Sequence, residues 1–391
     1  HNVYVLTVVI ISQINEIRAR KLMREFMFGI KDNLRPCTEF NESIYYKFLV
    51  KPYQEINYSN RLLKDFKAES IEFDDIEEFS NISENNWQKT VLTWIKSLEL
   101  KKITYDYVVI IDEHTVINLK ELQKTLDSFR DGNDSFVIND NTLTPKQKFN
   151  LVWGHFDIQT ADDMLIILET FPNHISLAYY YFKDENPTNE NNLFFINDQI
   201  EIIEWPNSVK YVPTEKTIGV GHVYLGSDVK DLIAHLSITQ YKICHSIIRE
   251  NGKLSIAIVT SSFIYNDMCM YPIAYNVTDN KRRYAKKHGY SFVPRSEEYY
   301  QQIYKEREKV WRKIDVIEKV LPHYDWVFWL DMDAVIANQN ISIEQLFEKF
   351  KKKVGKGRFN DINFVIVRPR NDVMINAGVF LIKNSEWSEN F

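Results

Sequence analysis

The stretch that most constrains this chain is Tyr324-Asp-Trp-Val-Phe-Trp-Leu-Asp-Met-Asp-Ala-Val-Ile-Ala-Asn338. An apolar run from Trp326 to Leu330 is interrupted by Asp331 and Asp333, then resumes as Ala334-Val335-Ile336. Aromatic and β-branched residues bounded by polar ones predict a strand buried on both faces. Two carboxylates at i and i+2 of a strand project to the same side. Burying an unpaired carboxylate is expensive, so a pair in such a run needs a reason. Either the strand ends there in an Asp-capped turn facing a crevice, or a cation holds the two side chains together.

With 391 residues, two domains are the natural expectation. At 45% hydrophobic and 26% charged residues the composition is globular, with ample material for a core. The net charge of −6 leaves no basic footprint, so nucleic acid is excluded as an expected partner. The three cysteines, Cys37, Cys244 and Cys269, are widely spaced and give neither a disulfide framework nor a zinc site. No apolar stretch is long enough to span a bilayer, and Val3–Ile11 is cut short by Ser12-Gln13. The chain begins at His1 and stops at Phe391, which reads as a piece of a longer protein.

Along the chain, Val3–Ile11 and Tyr105–Ile111 read as buried strands, and Arg18–Ile30, Arg61–Phe66 and Leu119–Phe129 as amphipathic helices. Gly219, Gly221 and Gly226 suggest a hairpin or a strand with close backbone approach, not a dinucleotide fingerprint. The pattern restarts after Asn251-Gly252. Leu254–Val259 is a strand, and Asp279–His288 a basic helix closed by Gly289. Glu306–Val320 follows as a helix, and Phe364–Val367 and Ile375–Ile382 as strands. Both halves run helix, aromatic strand, acidic triplet: Asp112-Glu113-His114 in one and Asp331-Met332-Asp333 in the other. The expected fold class is therefore α/β, with two related tandem domains. Their limits are residues 1–247 and 254–391, joined by a linker at 248–253, with the second domain C-terminally incomplete.

Ligands of open α/β sheets gather beyond the carboxyl ends of the strands. Paired carboxylates there suit a hard divalent ion, Mg²⁺ or Mn²⁺, and through it a diphosphate. Lys313 and the basic face of Lys281, Arg282 and Arg283 would add screening, although a solvated helix face explains Arg282 and Arg283 better.

Six pieces then fall in one order. They are Ile256–Thr260; Asn280-Lys281 with Tyr284-Ala285 and His288-Gly289-Tyr290; Trp311-Arg312-Lys313; Phe328–Asn338; Asp361-Ile-Asn363-Phe364; and Asn376–Asn384 with Trp387-Ser388. Together they resemble glycosyltransferase family 34, the fungal galactosyl- and mannosyltransferases and plant xylosyltransferases. The resemblance implies a GT-A (nucleotide-sugar-binding, Rossmann-like) fold, a Mn²⁺-dependent UDP- or GDP-linked sugar donor, a glycan acceptor and retention of anomeric configuration. It puts Thr260 and Lys313 near the nucleotide. Asp331, Met332 and Asp333 fall at the ribose or diphosphate, with Asp331 and Asp333 as metal ligands. Asp361, Asn376, Ala377 and Gly378 would line the sugar and acceptor cleft as catalytic residues. A further metal-binding histidine of that family would lie beyond Phe391.

The first half resembles family 31, the β-1,3-galactosyltransferase-like enzymes, through Arg18 with Arg24-Glu25, Glu72–Phe79, Lys89 and Trp94, and through Trp205-Pro206, Tyr211-Pro213 and Gly219–Tyr224. Its metal motif is altered to Asp112-Glu113-His114, and the segment supplying the family's catalytic base has no counterpart, which implies a catalytically silent domain. Both families imply the lumenal side of the Golgi membrane, behind an anchor outside this stretch, and complexes with other glycosyltransferases. Two rivals remain: an inactive glycan-binding or scaffolding protein, and a hydrolase of nucleotide sugars. Six N-x-S/T sequons, at Asn41, Asn57, Asn81, Asn133, Asn276 and Asn340, agree with a secretory route. Asp162-Asp163 reads as a helix cap, and His155, His174, His222 and His235 as structural.

Overall fold

A computed structural model describes residues 2–30, 39–40, 44–51, 59–79, 93–95, 97–98, 100–130, 136–138, 141–143, 150–154, 165–168, 193–197, 202–204, 217–221, 223, 226–235, 244–245, 253–264, 270–300, 307–368 and 374–391. The Asp162-Asp163 cap, Lys89, Trp205-Pro206, Tyr211-Pro213 and His155, His174 and His222 lie outside the described residues. The chain forms two compact units. His1–Lys31, Phe40–Tyr58 and Asp75–Ile243 make the first, and Asp32–Glu39, Ser59–Asp74 and Cys244–Phe391 the second. Among the described residues no helix is long and apolar enough to cross a membrane.

The first unit is built on strands β1 (Asn2–Ser12), β2 (Ile44–Val50), β3 (Ile76–Glu78), β4 (Ile103–Asp112), β5 (Asn150–Gly154), β6 (Leu165–Leu168) and β7 (Leu193–Asn197). They form one sheet in the order β7-β5-β6-β4-β1-β2-β3. The run β4-β1-β2-β3 is parallel, as the buried, nearly uninterrupted apolar strands Leu6–Ile10 and Val108–Ile111 require. Helix α1 (Ile17–Phe26) follows β1, and its Arg24 forms a buried two-point pair with Asp75, at 2.7 and 2.8 Å. Gly219–Gly221 is a strand between Ile202–Glu204 and Val116–Ile117, not a hairpin.

The second unit begins with helix α2 (Asn60–Phe73), capped by the Ser59 hydroxyl and closed by Asp74 in the left-handed conformation at φ 55. Ser70–Phe73 is thus its last turn. Strand β8 (Ile256–Ser261) leads to helix α3 (Ala274–His288), strand β9 (Ser291–Arg295), helix α4 (Lys313–Val320), strand β10 (Trp326–Leu330), helix α5 (Ile343–Val354), strand β11 (Phe364–Val367) and strand β12 (Asn376–Lys383). The sheet order is β9-β8-β10-β12-β11. The first three are parallel, while β12 runs antiparallel to both β10 and β11. The expected α/β class holds in both units, and the second is consistent with a GT-A-like sheet.

Alternation along the strands divides the core in two. Ala257, Val259, Val327 and Trp329 pack on α4 through Val316, Ile317 and Val320. Ile256, Ile258, Trp326 and Leu330 face α3 and α5 through Tyr284, Ala285 and Phe347. Each such fully buried aliphatic side chain contributes about 1.5–3 kcal/mol relative to exposure.

One sequence expectation changes. The helix expected over Glu306–Val320 is a 3₁₀ turn at Lys309–Trp311 followed by α4 from Lys313. The acidic pair, placed at i and i+2 of a strand, lies just past its end: β10 stops at Leu330, which is the first of the two alternatives offered for it. Asp331 N makes the last ladder-like bond, to Gly378 O at 2.8 Å, and Ala334 N then bonds Asp331 O at 3.0 Å, closing a turn.

Candidate functional site

That turn hangs from a lysine. Lys281 on α3 is fully buried. Its ammonium donates to Thr260 Oγ1 at 3.0 Å, to Asp331 O at 2.7 Å and to Met332 O at 3.0 Å. All three donors are used, so the turn after β10 is fixed to the end of β8. Burial pushes the Lys281 pKa down to about 7, against the pull of Asp333 and Asp331. Its neighbour Asn280 extends the clamp, accepting from Ile336 N at 2.8 Å and donating to Ile336 O at 3.3 Å.

The Asp331 carboxylate is oriented by two donors on one oxygen. Lys313 Nζ, at the first turn of α4, reaches Asp331 Oδ1 at 2.6 Å, and Trp329 Nε1 reaches the same atom at 2.7 Å. Lys313 also donates to Ala377 O at 3.1 Å and lies 5.6 Å from the Trp329 ring centroid. One long cation therefore ties β10 to the start of β12. The other oxygen, Asp331 Oδ2, faces Gly378, where a Cβ would stand 3.0 Å from it and 2.8 Å from Asn376 Oδ1. Only glycine leaves that space open. Asn376 Oδ1 in turn accepts from Gly378 N at 2.7 Å. Asp333 is exposed and makes no hydrogen bond among the described residues.

The structure thus brings together Thr260, Lys313, Asp331, Met332, Asp333, Asn376, Ala377 and Gly378. It does not bring Asp361 to them. Phe364 pairs with Ile382, and Ile382 pairs with Val327, so Asp361 precedes the level at which β10 begins. From Val327 to Asp331 is roughly 13 Å of strand, and Asp361 lies beyond the far end of it. The expectation that Asp361 lines the same cleft is corrected. Asp361 instead sits in the turn into β11, where its carbonyl accepts from Asn363 at 3.3 Å.

Sequence reasoning missed Trp329 and the burial of Lys281. Trp329 stands two before Asp331, a spacing that puts both on one side of a strand and was the available signal. Lys281 was expected to add screening charge, and nothing in the sequence marks it as buried. Arg283 matches that expectation, exposed and paired with Asp279. Arg282 does not, since it donates to Ile71 O at 2.7 Å.

The corresponding strand end in the first unit is differently used. Asp112 Oδ1 accepts from His114 N at 3.0 Å and from Thr115 Oγ1 at 2.6 Å, so this carboxylate closes its own turn. Glu113 is buried, accepts from Gln13 N at 3.3 Å, and is pushed up to about 7 by desolvation.

Set beside known proteins, residues 254–391 match the sequence model of the galactosyl transferase GMA12/MNN10 family. A probable alpha-1,6-mannosyltransferase of Saccharomyces cerevisiae is 30% identical over 130 residues, 28% of this chain and 33% of that protein. An alpha-1,2-galactosyltransferase of Schizosaccharomyces pombe is 27% identical over 165 residues, 35% of this chain and 43% of that protein. The chain spans less than half the length of these curated relatives. A solved glycosyltransferase involved in glycosylating the major capsid of PBCV-1 is 21% identical, over 33% of this chain and 60% of its own, with a TM-score of 0.25, a likeness too slight to argue from. The stretch that carries the Asp331 turn is glycosyltransferase-like in sequence, at modest identity.

Proposed function

We propose that the second unit moves a hexose or pentose from a UDP- or GDP-linked donor to a glycan acceptor, with retention of configuration, and that the turn after β10 holds the donor diphosphate. The observation that carries this reading is the Asp331 carboxylate: one oxygen saturated by Lys313 and Trp329, the other turned to the gap over Gly378, with exposed Asp333 two residues on. This donor set fits Mn²⁺ or Mg²⁺ as far as it goes. Both are hard oxygens, and among the described residues no third His, Cys, Asp or Glu stands with them, which leaves positions for phosphate oxygens and water. When bound, such an ion would supply Lewis-acid stabilisation of the departing diphosphate.

The chain's own residues do the rest. Lys313 fixes the orientation of Asp331 and adds positive charge beside the diphosphate. Lys281 holds the carbonyls of Asp331 and Met332, so the turn cannot swing with the charge of the ligand. Gly378 admits the donor close to the backbone of β12, and exposed Asn376 offers its amide NH₂ to sugar hydroxyls. With Asp361 at the far end of the sheet, no described carboxylate is placed as a nucleophile behind the anomeric carbon. The reading therefore favours attack on the face the phosphate leaves. The acceptor oxygen bonds to C1, the C1–O bond to phosphate breaks, and the leaving diphosphate takes the acceptor proton. The first unit is assigned no chemistry, because its Asp112 is engaged in its own turn. It is read as a silent domain that holds acceptor glycan or steadies the second half. A lumenal Golgi setting, with other glycosyltransferases as partners, belongs to the same proposal.

The test is a panel of UDP- and GDP-sugars with Mn²⁺ and glycan acceptors on the full-length protein, read by product mass. Transfer that EDTA abolishes, that Asp333→Ala lowers at least about 100-fold and that Asp112→Ala leaves intact supports the reading. Free sugar released at the same rate with or without acceptor would make it a hydrolase. Absence of nucleotide binding would make it an inactive glycan-binding protein.

A further inference from the structure

Helix α2 lies outside the stretch that matches the family, yet it reaches the underside of the Asp331 turn. Its Ile71 is fully buried and packs in a small cluster with Ile264, Ala274 and Met332. Met332 is the residue between the two carboxylates, and it points into this cluster while they face outward. The turn is therefore held at two levels: Lys281 binds its carbonyls, and its Met332 side chain sits in the buried cluster that contains Ile71. Polar ties fix the last turn of α2 in that place. Arg282 donates to the carbonyl of Ile71 itself at 2.7 Å and pairs with Asp74 at 3.3 Å. Ser296 donates to Glu72 Oε2 at 2.7 Å. Arg282 sits next to Lys281 on α3, so one helix grips both the acidic turn and the residue that supports it. A helix serving only as cover needs an apolar face. It does not need its backbone bound at the residue that shares a buried cluster with Met332.

We propose that α2 is a positioning element of the site, with Ile71 setting the depth of Met332 and thereby the spacing of the Asp331 and Asp333 carboxylates. The consequence for catalysis rests on reading that turn as the donor site. The placement of the turn does not, so the two can fail separately.

The experiment uses the full chain with Ile71→Ala, Ile71→Val, Met332→Ala, the Ile71→Ala/Met332→Ala double variant and Phe66→Ala. Phe66 is buried on the same helix but outside this cluster, and serves as a control for general loosening. Two quantities are read: amide hydrogen exchange at Ala334, whose N–H closes the turn, and affinity for UDP and GDP with Mn²⁺. Ile71→Ala is expected to speed Ala334 exchange and to weaken nucleotide binding, each by about tenfold. Ile71→Val should restore both to within about threefold, Phe66→Ala should leave both near wild type, and the double variant should be no worse than either single change. Equal effects from Phe66→Ala and Ile71→Ala, or none from Ile71→Ala, would overturn the proposal. Faster exchange confined to the Ile71 and Met332 variants in a chain that binds no nucleotide would uphold the positioning and sink the donor-site reading.

Discussion

At the scale of single residues, the site is a matter of which polar atoms are already satisfied. Lys281 has spent all its donors on one hydroxyl and two carbonyls, so Lys281→Met leaves those acceptors without their buried partner. Destabilisation of about 2–3 kcal/mol is expected, measurable as a lower denaturant midpoint with unchanged slope. Gly378→Ala acts differently. Its new Cβ would meet the mobile end of Asn376 and the anchored Asp331 Oδ2 at 3.0 Å. Asn376 can turn away by giving up its bond from Gly378 N, whereas Asp331 is held by Lys313 and Trp329. The variant should stay within about 1 kcal/mol of wild type in stability yet bind Mn²⁺ and nucleotide at least about tenfold more weakly, as titration would show. Loss of folding in Gly378→Ala would instead mark the glycine as a backbone requirement. The paired carboxylates and the glycine after Asn376 were legible in the sequence because both break an apolar pattern. Lys281 was not, because a basic helix position carries no mark of whether its neighbours are water or two backbone carbonyls.

Between elements, charge is buried where α2 meets β9. Glu72 is half-buried, and its carboxylate accepts from Ser296 and, at 3.4 Å, from Ser262. Desolvation raises its pKa to about 7, with Arg295 opposing and Glu298 and Glu297 reinforcing. In the unfolded chain this group ionises near 4.5. Between those values the folded protein holds a proton that the unfolded chain has released, so stability falls as pH rises through the window and levels off above it. Glu72→Gln should therefore stabilise the protein above pH 7 by about 1 kcal/mol, a figure below the full linkage value because the residue is only half-buried, and should change little below pH 4.5. Thermal melts across pH 4–8 decide it, and an equal shift at every pH would rule out the titration. At the end of α3, Gly289 has φ 72, and Gly289→Ala should cost about 1 kcal/mol by forcing a side chain into the left-handed region. That cap was plain in the sequence. The placing of Asp361 was not. The family resemblance suggested a place in the cleft with Asn376–Gly378, but two antiparallel pairings in succession carry it to the opposite end of the sheet.

Across the whole molecule, the order of strands and helices in the second unit was readable, since each buried strand announces itself as a short apolar run. Membership of the unit was not. The segment Ser59–Asp74 has ordinary amphipathic spacing, and nothing in it says that Ile71 will meet Met332 rather than the sheet nearest in the chain. Contacts so distant along the chain leave no local pattern. In a lumenal protein the exposed Asn276 and Asn340 sequons would carry glycans, and treatment of the secreted chain with an N-glycosidase should lower its mass, with no change if the protein never enters that route.

The distant origin of α2 has a consequence in time. A ribosome adding about 5–20 residues per second makes Phe73 on the order of 10–40 seconds before Ile256. For that interval Ile71 has no Ala274 or Met332 to pack with, and α2 has no β9 to lie against. The nascent helix must wait, kept from wrong partners by chaperones or by its own marginal helicity. A second half synthesised alone would never receive it. Supplying residues 59–74 as a separate peptide during refolding would then decide how much soluble product such a fragment yields.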